Sequence, residues 1–268
     1  MRLTVTSWNI NSVRLRIDLV ARFIKAVRPD VLCLQETKCP DDAFPIKRFK
    51  RLGYEHISLN GQKGYHGVAV ISRLPFESFH NRSFCGKTDC RHTGAVLGEL
   101  AGLRDPVTVH NFYVPAGGDI PDRAQNPKFG QKLDFIERMT RWSERCGAPT
   151  ILVGDLNVAP LECDVWSHKQ MLGVVSHTPI ECEKLTAIQK DGGWVDAVRG
   201  FVPPPQKLYT WWSYRAADWE AADRGRRLDH IWVAPALGNR VIETKVTRHA
   251  RSWPRPSDHV PLTAVLEV

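Results

Sequence analysis

Six short polar clusters sit where apolar runs of this 268-residue chain stop. They are Trp8-Asn9-Ile10-Asn11, Gln35-Glu36-Thr37-Lys38, Tyr113-Val114-Pro115-Ala116-Gly117, Gly154-Asp155-Leu156-Asn157, Arg227-Leu228-Asp229-His230 and Ser257-Asp258-His259. Singly, each has a plain explanation. Asn9 and Asn11 turn a chain readily, Glu36 and Lys38 suit a solvated surface pair, and Asp155 and Asn157 form Asx turns. Together they are an inventory for phosphodiester hydrolysis. Carboxylate and amide oxygens suit Mg²⁺, with Mn²⁺ as a substitute, and call for no soft sulfur ligand. A divalent ion polarises a phosphate oxygen and lowers the pKa of bound water. Asp155 can orient or deprotonate that water. An Asp229–His259 pair can stabilise a protonated imidazole beside a phosphate, and Tyr113 offers a phenolic donor to developing charge.

These clusters need rigid elements behind them. Leu3 to Ser7 alternates apolar and polar residues as a half-buried strand does. Ser12 is a candidate N-cap for a helix whose Val13, Ile17, Val20, Ile24 and Val27 share one face before Pro29. Val31 to Leu34 reads as a buried strand ending at Gln35-Glu36. Further strands are expected at 67–72, 95–100, 107–113, 150–153, 228–234 and 262–267. A helix opened by Asn126-Pro127 turns Phe129, Leu133, Ile136 and Met139 inward, and Gly147 is placed to end it. Strands outnumber helices, and several follow one another with no helix between. A purely parallel sheet needs a crossover each time, so the pattern favours a mixed or antiparallel two-sheet core with helices outside.

Length and composition fit a single domain over residues 1–268: the chain is 43% hydrophobic and 25% charged. Lys and Arg number 37 against 29 Asp and Glu, a formal charge of +8 that favours a polyanionic partner. The seven cysteines form no CxxC pair, and their odd number argues against a disulfide framework or zinc ribbon. Cys85, Cys90 and His92 lack a second ligand pair at zinc spacing. No signal-like or membrane-length apolar stretch occurs, so a soluble cytoplasmic protein with reduced thiols is expected.

The ordered set WNIN, QETK, YVPAG, GDLN, RLD and SDH resembles the exonuclease III family of abasic-site endonucleases, within the endonuclease/exonuclease/phosphatase superfamily. The likeness runs from residue 7 to 259 with every motif in family order. It implies an α+β fold: a four-layered αββα sandwich, two packed mixed sheets flanked by helices, with the site at one edge. Glu36 then resembles the principal metal ligand, with Asn9, Asn11 and Asp258 in or near the same sphere. Asp155 resembles the residue that prepares the water or protonates the leaving group. Asn157 and Tyr113 resemble the groups beside the pentacovalent phosphate, and His259, oriented by Asp229, the phosphate-binding or proton-accepting histidine. A second metal around Asp155, Asn157 and His259 is the alternative arrangement. Ala116 departs from the family, where an Asn or Gln commonly reaches a phosphate.

The resemblance also implies a DNA repair nuclease that cuts 5′ to abasic sites in duplex DNA and trims 3′ ends, working as a monomer. Lys38 belongs to the substrate contacts. Trp211 and Leu228 resemble the walls of a pocket for a baseless sugar, and Arg226 stands where some relatives carry an aromatic residue or Leu. The basic groups Lys47, Arg48, Lys50 and Arg51, then Arg224, Arg226 and Arg227, and Arg248, Arg251 and Arg255, are expected in loops near the site. So is the Gly61–Gly67 segment.

Overall fold

The computed structural model describes residues 1–86, 89–143 and 148–268. The chain opens with β1 (Arg2–Asn9), α1 (Val13–Val27) and β2 (Val31–Gln35), followed by α2 (Ile46–Lys50), β3 (His56–Asn60) and β4 (Val68–Ser72). Next come β5 (Ser78–Asn81), β6 (His92–Leu97), β7 (Val107–Tyr113), α3 (Pro127–Ser143) and β8 (Thr150–Asp155). Two helices, α4 (His168–Met171) and α5 (Pro179–Asp191), precede β9 (Val195–Asp196) and β10 (Trp211–Trp212). The remainder holds α6 (Trp219–Ala222), β11 (Gly225–Arg226), β12 (Asp229–Val233), α7 (Pro235–Gly238), β13 (Val241–Val246) and β14 (Leu262–Glu267).

Two six-stranded sheets result, ordered β13-β14-β1-β2-β4-β3 and β5-β6-β7-β8-β12-β9, with β10 and β11 as a small separate ribbon. Each large sheet is mixed. Its one parallel pair, β1–β2 or β7–β8, is joined through a helix, α1 or α3. The sheets face each other through Leu3, Val5, Val31 and Cys33 on one side and Val109, Ile151, Val153 and Ile231 on the other. The alternate residues point outward, because successive strand side chains take opposite faces. Trp8, Leu32 and Leu34 meet Val20, Phe23 and Ile24 of α1. Phe112, Leu152 and Trp232 meet Phe135 and Ile136 of α3 and Leu185 of α5. Central strands covered on both faces read as continuous apolar runs, as at Val31–Leu34. The expected α+β, four-layered sandwich is the architecture observed.

Several local expectations are corrected. Ser12 does not cap α1: its side chain makes no capping bond and its φ is 86°. The helix entry is held instead by backbone bonds from Ser12 and Val13 to the carbonyls of Glu36 and Thr37 (2.7 and 3.1 Å). The strand expected over 95–100 is His92–Leu97, and Glu99–Ala101 is a single 3₁₀ turn. The expected helix end at Gly147 lies outside the described residues. Lys47, Arg48 and Lys50 lie on α2, where Arg48 pairs with Asp18 of α1 and Lys50 with Glu55. Phe49 of α2 packs with the α1 cluster on the outer face of the first sheet, so this run is helical and not a loop at the site. Arg248 pairs with Asp223 and lies over Trp212, while Arg251 is buried over Tyr214. Both brace the ribbon region.

Candidate active site

Parallel pairing within each sheet sends the ends of β1 and β2, and of β7 and β8, toward one rim. β12 runs antiparallel to β8 and starts there, with Asp229 opposite Asp155. Asn9 Nδ2 donates to Glu36 Oε1 of the first sheet at 3.0 Å and to Asp155 Oδ2 of the second at 2.9 Å. One buried amide therefore ties the two sheets' carboxylates together. Tyr113 donates its hydroxyl to the same Glu36 oxygen at 2.8 Å. Lys38 Nζ sits 2.7 Å from Glu36 Oε2 and donates to Asn11 Oδ1 at 2.6 Å. Asn11 Nδ2 reaches Asp258 Oδ1 at 3.1 Å, and Trp211 Nε1 donates to Asp258 Oδ2 at 2.9 Å. His259 Nδ1 bonds Asp229 Oδ2 at 2.8 Å, while its Nε2 faces Asp155 Oδ2 at 3.7 Å. Asn157 caps Asp155 by its own N–H (2.9 Å) and holds the carbonyl of Val114 with its amide (2.9 Å).

The backbone bends sharply to present these groups. Asn11, Glu36, Lys38 and Asn157 all have φ between 46° and 53°, a left-handed conformation that Asn tolerates and that costs Glu and Lys of order 1 kcal/mol. The Glu36 turn is held by Thr37 N–H to Gly67 O and Lys38 N–H to His66 O, at 3.0 and 2.9 Å. Gly67 must be glycine, since its φ is +88° and a Cβ would collide with Thr37 Oγ1.

Electrostatics separate the acids. Burial raises Glu36, but the Lys38 ammonium and hydrogen bonds from Lys38, Asn9 and Tyr113 outweigh it, leaving Glu36 below its usual value and ionised. Asp155 is pushed up to about 7 by burial and by the Asp229 and Glu36 charges, against the lowering pull of His259. Burial disfavours the His259 cation, yet Asp229 and Asp155 together raise it to about 10. The rim thus carries an ionised acid, an acid poised near neutrality and an imidazolium.

The donor set fits a hard divalent cation. Lys38 already places a positive charge between oxygens of Glu36 and Asn11, the position such an ion would exploit. Asp155, Asp229 and His259 also lie within reach of one ion. Asp229 Oδ2 and His259 Nδ1 are turned toward each other there, whereas on the Glu36 side a divalent ion would take the place that the Lys38 ammonium holds against Glu36 Oε2 and Asn11 Oδ1.

All the candidate residues gather at this rim. Beside them is a cleft of about 700 Å³, whose walls include Trp166, Met171, Trp211, Arg224, Arg226 and Leu228. Leu228 packs with Ala159, Val165 and Met171. Arg226 lies over the Trp211 ring at 4.9 Å and donates to Ser176 Oγ at 2.9 Å, so a cation–π pair forms one wall. Arg227 faces away, buried against Asp196 (2.6 Å) and Asp164, where it holds β12 in place. Ala116 also lines the cleft; its methyl offers no hydrogen bond, and its carbonyl accepts from Lys132 at 3.3 Å.

Sequence reasoning passed over three supports. Arg91 lies over the Tyr113 ring at 4.8 Å and donates to the Tyr113 carbonyl. His66, lowered to about 4 by burial and by Arg91, stands 3.3 Å from that guanidinium; it belongs to the Gly61–Gly67 segment, whose mixed Gly, cation and aromatic content was its only signal. Lys132 is fully buried, pairs with Glu181 and donates to the Asn157 carbonyl at 2.7 Å, fixing the turn after β8. A lysine within an amphipathic helix gives no sequence sign of such a task.

Residues 6–259 match the Endonuclease/Exonuclease/phosphatase family. Exodeoxyribonuclease III of Haemophilus influenzae is 30% identical over 267 residues, covering 96% of this chain and 97% of that protein. Among solved structures, an AP endonuclease from Archaeoglobus fulgidus has 31% identity and a TM-score of 0.89, covering 99% of this chain and 100% of the other. The 3′ phosphatase NExo from Neisseria, bound to a product DNA hairpin, has 30% identity, a TM-score of 0.89 and the same coverage. The chain belongs to the endonuclease/exonuclease/phosphatase family.

Proposed function

We propose that this protein is a metal-dependent DNA repair nuclease that hydrolyses the phosphodiester 5′ to abasic sites and removes nucleotides or blocking groups from 3′ ends of duplex DNA. The observation that carries this reading is the Asn9 amide bound at once to Glu36 and Asp155, beside the Asp229–His259 pair. Glu36 would hold Mg²⁺, with Asn9, Asn11 and Asp258 near it; Mn²⁺ would substitute. When bound, that ion supplies Lewis-acid polarisation of a phosphate oxygen.

The chain's own groups do the rest. Asp155, poised near 7, takes a proton from the attacking water at Oδ2, with Asn157 holding the carboxylate's other oxygen. The His259 imidazolium, kept charged by Asp229, donates from Nε2 to a non-bridging oxygen as negative charge grows. Tyr113, whose hydroxyl burial and the Glu36 charge keep protonated, turns its one O–H from Glu36 to the same phosphate. Lys38 and Arg226 grip the substrate backbone. Trp211 and Leu228 face the sugar, and a pocket of this kind admits one lacking its base while excluding a whole nucleotide by size. The enzyme is expected to act as a cytoplasmic monomer. No helix among the described residues is long and apolar enough to cross a membrane.

A 5′-labelled duplex with one abasic analogue, incubated with Mg²⁺, should first yield a product ending at the residue 5′ to the lesion, followed by shorter products as its 3′ end is trimmed. EDTA should abolish it, and Asp155→Asn should bind the duplex without cutting. Hydrolysis of an inositol phosphate with the duplex left intact would overturn the reading. A parallel duplex ending in a 3′-phosphate tests the end-cleaning activity, which the cationic Arg226 wall favours.

A further inference from the structure

We propose that His80, His92 and His110 form a second metal site, for one zinc-like divalent transition ion, on the outer face of the second sheet. Strand register brings them together. His80 of β5 pairs with Gly94 of β6, and Gly94 pairs with His110 of β7. His92 lies two residues before Gly94 and so shares its face. Side chains on that face of β7 point away from the catalytic rim: Tyr113 and Asn111 have the opposite parity to His110, and Asn111 binds the carbonyls of Leu34 and Ala69 in the first sheet.

Gly94 leaves the space the ion needs. A Cβ there would stand 3.0 Å from both His80 Nε2 and His110 Nδ1, so these nitrogens converge over the missing side chain. The three ring centroids are 5.8, 5.3 and 5.2 Å apart. Three imidazoles on a tetrahedral ion at about 2.0–2.1 Å per bond would place their centroids about 5.2 Å apart. One nitrogen from each ring lies within 4.8 Å of the others. His80 Nε2 is buried without a hydrogen-bond partner, which an ion would supply.

The protons can be accommodated. The Arg82 amide donates to His92 Nδ1 at 3.2 Å, which makes His92 Nε2 the protonated nitrogen and the donor to His110 Nδ1 at 3.0 Å. On binding, the ion takes the lone pairs of His110 Nδ1 and His80 Nε2, and His92 moves its single proton from Nε2 to Nδ1. Each ring stays neutral, and the long bond from Arg82 is given up. Neutral rings are the resting state here: burial and neighbouring cations lower His92 far and His110 to about 3. His80 and His110 also line a cleft with Arg82, Arg138 and Arg141, so the fourth coordination position opens to water or to an anion held by those guanidiniums. The ion would clasp the exposed edge strand β5 to the sheet.

Cobalt(II) titration, read by the visible absorption of four-coordinate cobalt, tests this with the catalytic rim saturated by Mg²⁺. The wild type should take up one equivalent, Glu36→Gln should do the same, and His80→Ala should bind roughly 10-fold or more weakly. His110→Asn provides a second variant, and circular dichroism of both confirms that the fold is retained. No four-coordinate spectrum in the wild type, a titration unchanged by His80→Ala, or a signal lost in Glu36→Gln would overturn the proposal.

Discussion

Asp229 accepts from His259 through Oδ2, while its Oδ1 is buried without a partner. Asp229→Asn keeps the size and an acceptor oxygen for Nδ1–H but removes the charge. In the native protein burial works against the His259 cation, and Asp229 is the largest influence overcoming it to hold the group near 10. Without that charge Asp155, 3.7 Å from Nε2, and more weakly Asp258 still favour the cation. Burial then pulls His259 back toward its ordinary range, and the imidazole is largely neutral at pH 8. A charge-assisted hydrogen bond contributes about 1.5–3 kcal/mol, which corresponds to roughly a 10- to 150-fold fall in kcat. Because a neutral His259 regains its proton in acid, the variant's deficit should shrink between pH 8 and pH 6. The assay is single-turnover cleavage of the abasic duplex across that range, with gel-shift binding to show that the complex still forms. A deficit that does not change with pH, or a kcat within two-fold of wild type at pH 8, would refute the assigned role of the pair.

Two further outcomes concern stability. Lys132→Met should leave Glu181 charged and buried with only the donors of Ser176 and Thr178. The loss, about 3–5 kcal/mol, should lower Tm by roughly 5–9 °C, and cleavage should weaken as the Asn157 carbonyl loses its anchor; differential scanning calorimetry reads the first effect. His92, His110 and His230 are buried neutral, the last two with values near 3. The unfolded chain takes up their protons near pH 6.5 and the folded one does not, so the unfolded state binds more protons in this window. Their contribution is full above about pH 6.5 and falls by about 1.4 kcal/mol per histidine for each pH unit below it, while Asp155, raised to about 7, binds its extra proton in the folded state and offsets one histidine's share down to about pH 4; urea midpoints at pH 7, 6 and 5 measure the net slope.

The catalytic strand tips are legible because each is an abrupt change of chemistry: Val31 to Leu34 is uninterrupted apolar sequence, and Gln35-Glu36 follows at once. Strands buried on both faces announce themselves in this way. The edges do not. His56–Asn60, Ser78–Asn81 and Val241–Val246 are short, polar and partly exposed, so their strand character comes from a neighbour's ladder rather than from their own residues. Buried polar groups are equally silent. Lys132 and Arg227 are typed as surface residues, and only Glu181, Asp196 and Asp164, distant in sequence, make their burial tolerable. Ser12 has the right residue type for a cap, but the Glu36–Thr37 backbone had already taken that place. The basic run on α2 shows the converse hazard: charge density marks a solvated helix face as readily as a substrate path.

The Asn9 side chain spans the seam between two independently hydrogen-bonded sheets. A slip of one sheet against the other by about 1 Å is enough to cost on the order of 100-fold in rate, while leaving every strand paired. Turnover in this protein is therefore a vernier for its own interior. Trimming Val5 or Ile231, residues that only fill space between the layers, should register in the cleavage rate at temperatures where spectroscopy still sees an intact fold.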